Sequence, residues 1–253
     1  MKKVILAAIA LVLCGALGFG GWKLYEVYSI IREEQHMRDE MVDYAPHFDD
    51  VPEDGIAPVP DDSSDVVLHS GLAAAKEAAG SVVGWLNVPG TRIDYPVAQG
   101  TNNLYYLKHD IKGRSSRSGA IFMDYRCNAD YSLFNTIIYG HNMSSGAMFA
   151  DLQKFRTKTY FDKHPTAYAA TPTHTYRLEI FAYLTVPSTA PVYRAVFLSP
   201  AEKREHLQYL RDKAKWYRDI GVTEDDHLVT LSTCTYEFEN ARSVAVARIR
   251  MVA

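Results

Sequence analysis

Cysteine is scarce in this chain: three residues in 253, Cys14, Cys127 and Cys234. That is too few for a disulfide framework, and their spacing suits no zinc site. The sequence holds no HExxH, no GxxxxGK[ST] and no EF-hand loop, so no motif points to metal or nucleotide chemistry. Positive charge is not in excess either. Lys and Arg number 27 against 30 Asp and Glu, a net charge of −3, and no basic surface advertises nucleic acid. Internal repeats are absent. Long hydrophobic runs are absent too, with one exception at the N-terminus.

That exception sets the expected compartment. After Lys2 and Lys3, residues 4–22 carry no charge over 19 positions, about the length that crosses the hydrocarbon core as a helix. The segment is read as an uncleaved anchor. The rival is a cleavable signal peptide, because Ala16-Leu17-Gly18 offers a small-x-small site. Cys14 is a poor lipidation site, with bulky Leu13 before it. Lys2 and Lys3 nearly balance Lys23 and Arg32, so the positive-inside rule barely discriminates. The free N-terminal amine tips the orientation to N-inside, with the rest of the chain outside a single-pass membrane anchor.

Punctuation divides the remainder. Residues 23–42 are expected to form a juxtamembrane helix. Residues 43–65 hold eight acids, four prolines and no Lys or Arg. That composition buries no apolar face, and predicts a solvated linker. The folded domain is expected at 66–253. Within it, 72–79 reads as helix, and short β-rich runs follow at 82–88, 93–98, 120–125, 136–139, 167–170, 176–186, 227–233 and 243–252. One long helix interrupts them. Ser199-Pro200-Ala201-Glu202 is a capping box with Pro at the first helical position. Leu207, Leu210, Ala214 and Tyr217 form its apolar face, and Gly221 is its expected end. Many short strands with few helices predict a mainly β protein, a closed or nearly closed barrel with helices outside.

One local cluster has a chemical character. The run 227–234 delivers Cys234 to the end of a strand, and Arg242 opens the closing strand after a seven-residue connection. Paired as a hairpin, the two would stand side by side at one rim. A cation beside a thiol favours the reactive thiolate. On spacing alone, Cys234 as a buried small hydrophobe and Arg242 as a surface charge remains open. In Asn135-Thr-Ile-Ile-Tyr-Gly140-His141, a glycine break places His141 on a loop just past a strand end, where imidazole reaches a neighbouring thiol. The eight other histidines have no better claim on sequence alone. The order, His before Cys, differs from papain-type enzymes.

Taken together, Tyr139-Gly140-His141-Asn142-Met143, Thr230-Leu231-Ser232-Thr233-Cys234 and Arg242-Ser-Val-Ala-Val-Ala-Arg-Ile resemble the sortases, membrane-anchored cysteine transpeptidases of Gram-positive cell walls. Phe122-Met-Asp-Tyr-Arg126, Asn103-Leu-Tyr-Tyr-Leu107 and the helix after Ser199 resemble the class B branch. The resemblance spans roughly residues 70–253. It implies an eight-stranded β-barrel with peripheral helices, with Cys234 as nucleophile, His141 as acid and base, and Arg242 as oxyanion holder. Asn103, Leu107, Ser188, Tyr193 and Ser232 match positions of the substrate groove. It implies no cofactor or metal, and a monomer that acts on exported proteins carrying a C-terminal sorting signal and on a peptidoglycan or pilin amine. An exported thiol hydrolase or peptidase and an inactive wall-associated module are the alternatives. The Ser-His-Gly-Cys signature of L,D-transpeptidases is absent, and an inactive descendant would be expected to have lost one of the three residues.

Overall fold

Most strands are buried on both faces, as in the closing strand, Ala241–Met251. There Val244 and Val246 point one way, and Ala245 and Ala247 the other, and all four are buried. The computed structural model describes residues 2–48 and 69–252. Its elements are α1 (Lys2–Met41), α2 (Ser70–Ala78), β1 (Val82–Asn87), β2 (Asp94–Gln99), β3 (Ile121–Met123), β4 (Asn135–Tyr139), α3 (Lys158–Lys163), β5 (Thr166–Ala170), β6 (Thr175–Pro187), α4 (Pro200–Lys213), β7 (Trp216–Tyr217), β8 (Leu228–Cys234) and β9 (Ala241–Met251). Strand order is β5-β1-β2-β3-β4-β8-β9-β6-β7, and β5 also pairs with β6. Eight strands therefore close into a barrel, with the two-residue β7 appended to β6. Closure removes the free edges that an open sheet would expose.

Ala245, Ala247, Val229, Leu231, Ile137 and Ile180 belong to the cluster inside the barrel, with Phe149, Leu152 and Phe155. Val244 and Val246 belong to a second cluster with Phe181, Leu184 and Leu210 of α4. A third gathers Met41, Leu72, Trp85, Tyr106 and Phe122 beneath α2 and the end of α1. Two of the pairings are parallel, β2–β3 and β4–β8. Each needs a long crossover, and these crossovers carry the chain over the rim where the site forms.

All eight expected strands are present, with ends shifted by a few residues. The long helix is corrected. It begins as expected, with the Ser199 hydroxyl accepting from the Glu202 N–H and the Glu202 carboxylate accepting from the Leu198 N–H. It stops at Lys213 rather than Gly221, because the open edge of β6 captures the chain. Lys215 N–H donates to Tyr183 O and Arg218 N–H to Phe181 O, and Trp216 and Tyr217 pair with β6. Tyr217 thus lies on a strand, beyond the helical face expected to include it.

The expected anchor and juxtamembrane helix run together in the N-terminal region. Residues 2–41 form one helix, followed by a 3-10 turn, Val42–Tyr44. Tyr44, Ala45 and Phe48 pack on the barrel, and Phe48 stacks on Tyr168. The start of the expected acidic linker is thus docked, because its aromatic and alanine side chains find apolar surface. Most of that linker, 49–65, lies outside the described residues. Phe48 and His69, which flank this stretch, both contact the domain, His69 N–H donating to Pro172 O.

His206 on α4 is buried edge-on against Phe134 and Phe197, and its Nε2 has no partner. Burial, with Arg194 nearby, pushes it down to about 4. An unfolded His binds a proton near 6.5. The folded state is therefore fully favoured above pH 6.5, and loses stability as pH falls from 6.5 towards 4, by on the order of 3 kcal/mol. His206→Leu is expected to flatten the Tm profile across that window, as measured by thermal melts at pH 4.5 and 7.5.

Candidate active site

The end of β8 and the start of β9 build the centre. Cys234 stands directly opposite Arg242 in the antiparallel register, so the two side chains share a face with Cβ atoms about 5 Å apart. The connecting turn is firmly held. Thr235 N–H donates to Ala241 O, Ser188 N–H donates to Asn240 O, and Arg156 pairs with Glu237 at 2.5 Å. Asn240 takes the left-handed conformation, φ 57°, which asparagine tolerates better than most residues. Cys234 is half-buried. The one hydrogen bond of the Arg242 guanidinium among the described residues goes to the neighbouring Ala241 carbonyl.

His141 reaches the same face from β4. Beyond Tyr139, Gly140 N–H donates to Ser232 O, and Thr233 Oγ1 donates to Gly140 O at 2.8 Å. These bonds bring His141 to the rim, two residues past the last β4–β8 pair. Its Nε2 lies 2.8 Å from the carbonyl of Leu107. A carbonyl only accepts, so Nε2 carries the hydrogen and Nδ1 is the nitrogen left for proton exchange. Gly119 allows this approach. At φ 61°, a Cβ there would lie 2.3 Å from the Tyr106 carbonyl and 3.2 Å from the His141 ring.

Among the described residues no carboxylate bonds His141. Asp124, the acid of the Phe122–Arg126 motif, is fully buried and bonds Arg126, Asn103 and the Tyr139 hydroxyl instead. Burial alone would raise its carboxyl; the Arg126 fork, the Arg126 N–H and Asn103 outweigh that and hold it below the usual carboxylate range. The same burial, with Asp124 beside it, raises the Tyr139 phenol. Burial likewise pushes Tyr193 up to about 12. The floor beneath the thiol is thus an ion pair capped by neutral phenols.

All eight residues singled out in the sequence line one groove of about 760 Å³: His141, Cys234, Arg242, Asn103, Leu107, Ser188, Tyr193 and Ser232. They arrive from four separate stretches of chain. Ser188 is exposed, while Ser232 is buried with its hydroxyl 2.9 Å from that of Tyr193. Asn103 is engaged at both ends, its Nδ2 donating to Asp124 and its Oδ1 accepting from Tyr125 N–H. Leu104, Phe122, Arg126 and Tyr139 complete the wall. Arg126 and Leu104 lie inside the quoted motifs, but nothing in the sequence separates them from their neighbours. Cys127 sits elsewhere, in the barrel wall, with its Sγ accepting from Ile137 N–H and donating to Asn135 O. Burial pushes that thiol up to about 11. Among the described residues no cluster of three or more His, Cys, Asp and Glu forms a metal site.

Comparison with known proteins bears on this geometry. The sortase domain family model matches residues 86–250. Sortase B of Listeria monocytogenes is 31% identical over 252 residues, 98% of each chain. Sortase B of Staphylococcus aureus is 32% identical over 170 residues, covering 66% of this chain and 70% of its own. Among solved structures, sortase B from Bacillus anthracis in complex with AAEK1 superimposes with a TM-score of 0.72 at 30% identity, covering 87% of this chain and 97% of its own. A Staphylococcus aureus sortase B–substrate complex gives 0.71 at 25% identity, covering 90% and 98%. With a closed eight-stranded barrel, a family match across most of the chain and class B relatives along nearly its whole length, this chain belongs to the sortase family, in its class B branch, and is a cysteine transpeptidase.

Proposed function

We propose that this sortase cleaves a C-terminal sorting signal after threonine and transfers the acyl group to a peptidoglycan or pilin amine. The observation that carries the reading is the juxtaposition of Cys234 with Arg242 in the β8–β9 register, in one groove with His141. The Cys234 thiolate attacks the threonine carbonyl, and the carbonyl electrons move to oxygen. Arg242, permanently charged, holds that oxyanion through its forked donors. The intermediate collapses to a thioester as the C–N bond breaks, and His141 Nδ1 protonates the departing amine. The acceptor amine then attacks the thioester. His141 takes its proton, and the thiolate is released with one amide exchanged for another. Asn103, Leu107, Ser188, Tyr193 and Ser232 form the wall against which the signal peptide lies.

We place the enzyme on the outer face of a membrane, N-terminus inside, with the exposed apolar part of α1 as anchor. Residues 3–33 are long and apolar enough to cross a bilayer. α1 then doubles as a strut: Glu26 pairs with Arg117 at 2.7 Å, and Glu40 with Lys112 and Arg114 at 3.1 and 2.9 Å. Glu26 is only four residues, about 6 Å of helix, beyond Trp22. The catalytic domain therefore rests close to the membrane on its own anchor helix.

Three outcomes are expected. Cys234→Ala leaves less than about 1% of peptide cleavage with the fold intact. Cys127→Ala keeps full turnover and loses about 1–2 kcal/mol of stability, since it empties a buried, hydrogen-bonded site. Mass spectrometry of the thioacyl adduct and thermal melts read both; cleavage by Cys234→Ala overturns the reading.

Arg242→Lys keeps the charge but loses the fork, and is expected to slow turnover on the order of 10²-fold. Arg248→Ala instead lowers Tm and spares turnover, because Arg248 bonds Glu179 and the Ile220 carbonyl away from the groove. Steady-state kinetics on both variants checks the contrast.

A fragment of residues 23–253 is expected to cleave peptide in solution, while wall-linked product in cells falls sharply without the anchor. Residues 66–253 also lose Met41, Tyr44 and Phe48 from the cluster under α2. That fragment should melt at least about 5 °C lower, as losing a buried Met alone costs about 2–5 kcal/mol.

A further inference from the structure

β4 ends at Tyr139, paired with Ser232, while β8 continues two residues further to Cys234. The carbonyl of Cys234 therefore lies past the last backbone donor that β4 supplies. Two side-chain amides stand in for the missing strand. Asn142 Nδ2 donates to this carbonyl at 3.0 Å, and Gln153 Nε2 donates to it at 3.1 Å. The other end of the Gln153 amide is held as well, its Oε1 accepting from Thr235 Oγ1 at 3.2 Å.

Both amides have firm footings. Gln153 sits in the 3-10 helix Ala150–Arg156, between Leu152 and the nearby Phe155, which are fully buried in the barrel cluster. Asn142 follows His141 directly; it forms a backbone bridge with Met148, and Phe149 N–H donates to His141 O. A carbonyl at a half-exposed strand end has water available as an alternative donor, so the fold does not demand two protein donors on one oxygen.

We propose that Asn142 and Gln153 are positioning residues for the nucleophile. Converging on one acceptor, they fix the plane of the peptide that follows Cys234, and with it the direction in which Sγ leaves the strand end. Asn142 also ties the residue after the acid to the residue that bears the thiol. One hydrogen bond thus helps set the separation between His141 and Cys234, while the β8–β9 register sets that between Cys234 and Arg242. Neither amide is part of the groove lining, so their loss acts on the chemical step and spares substrate binding. A misplacement of about 1 Å at a reacting centre costs on the order of 10²-fold in rate. The inference rests on Cys234 being the nucleophile.

The test uses the full chain in detergent micelles with a sorting-signal peptide. The variants are Gln153→Met, which keeps length and removes both hydrogen bonds, Asn142→Ala, and the two combined. Thr235→Val frees Gln153 without altering its volume, and is the milder variant should the others fold poorly. For each single change kcat is expected to fall about 10-fold, for the double about 100-fold, and for Thr235→Val less than for Gln153→Met. KM stays within twofold and Tm within a few degrees. An unchanged kcat in the double variant overturns the proposal. So does a loss that appears as raised KM, or one that tracks a lowered Tm and recovers on cooling, since either marks a merely structural role. A double variant with full kcat beside an inactive Cys234→Ala refutes the positioning role alone, whereas activity in Cys234→Ala refutes both this and the transpeptidase reading.

Discussion

The parallel pairing of β4 with β8 is the constraint on which the rest of the site depends. It sets Tyr139 against Ser232, and so brings the turn containing His141 level with the end of the strand that carries Cys234. Parallel neighbours cannot be joined by a tight turn, so the chain between them, from 140 to 227, must travel away and return. In doing so it builds the 3-10 segment that carries Gln153, strands β5 and β6, and the 188–194 loop that walls the groove. The antiparallel β8–β9 hairpin then adds Arg242 at no further topological cost. Two ladders of different polarity thus meet at one strand end, and His141 shares a rim with Cys234 and Arg242, which lie far from it along the chain.

Electrostatics around that rim follows from burial. Asp124 has no exposed surface, and an unpaired carboxylate there would be strongly disfavoured. The forked contact with Arg126 and the donors from Asn103 and Tyr139 keep it ionised. Its charge is consumed by this network and does not reach His141. The imidazole is oriented by the neutral Leu107 carbonyl instead, which fixes the tautomer without fixing the charge. That suits the role proposed for His141, giving a proton in one half-reaction and taking one in the other.

The same loop that supplies Leu107 continues to Lys112, Arg114 and Arg117, which grip α1 through Glu40 and Glu26. The helix α1, the basic loop and His141 are consecutive links in one chain of contacts. Exposed ion pairs of this kind are individually weak, so the apolar seat of Met41 under α2, 1% exposed, holds α1 in place while the charges set its angle.

Much of this was legible in the order of residues. Short β-rich runs with turn signals between them marked all eight barrel strands, because residue type and turn chemistry are local properties that short windows display. The capping box located the start of α4 for the same reason. His141, Cys234 and Arg242 stood out through their motifs and their places at strand ends. What the sequence could not display depends on groups far apart along the chain. α4 stops at Lys213 because β6 offers an open edge, a fact absent from the local pattern around Gly221. Tyr44 and Phe48 dock, although they sit among acids that favour solvent, because an apolar surface built by Trp85 and Tyr168 is waiting for them. Asn142 and Gln153 have no distinguishing local signal, since their common partner lies 92 and 81 residues away. Sequence by itself determined the strands, the apolar N-terminal helix and the chemical identity of the three central groups, all matters of local pattern and residue type. Only the tertiary structure decided which carbonyl holds which side chain, because that choice belongs to strand register and barrel closure.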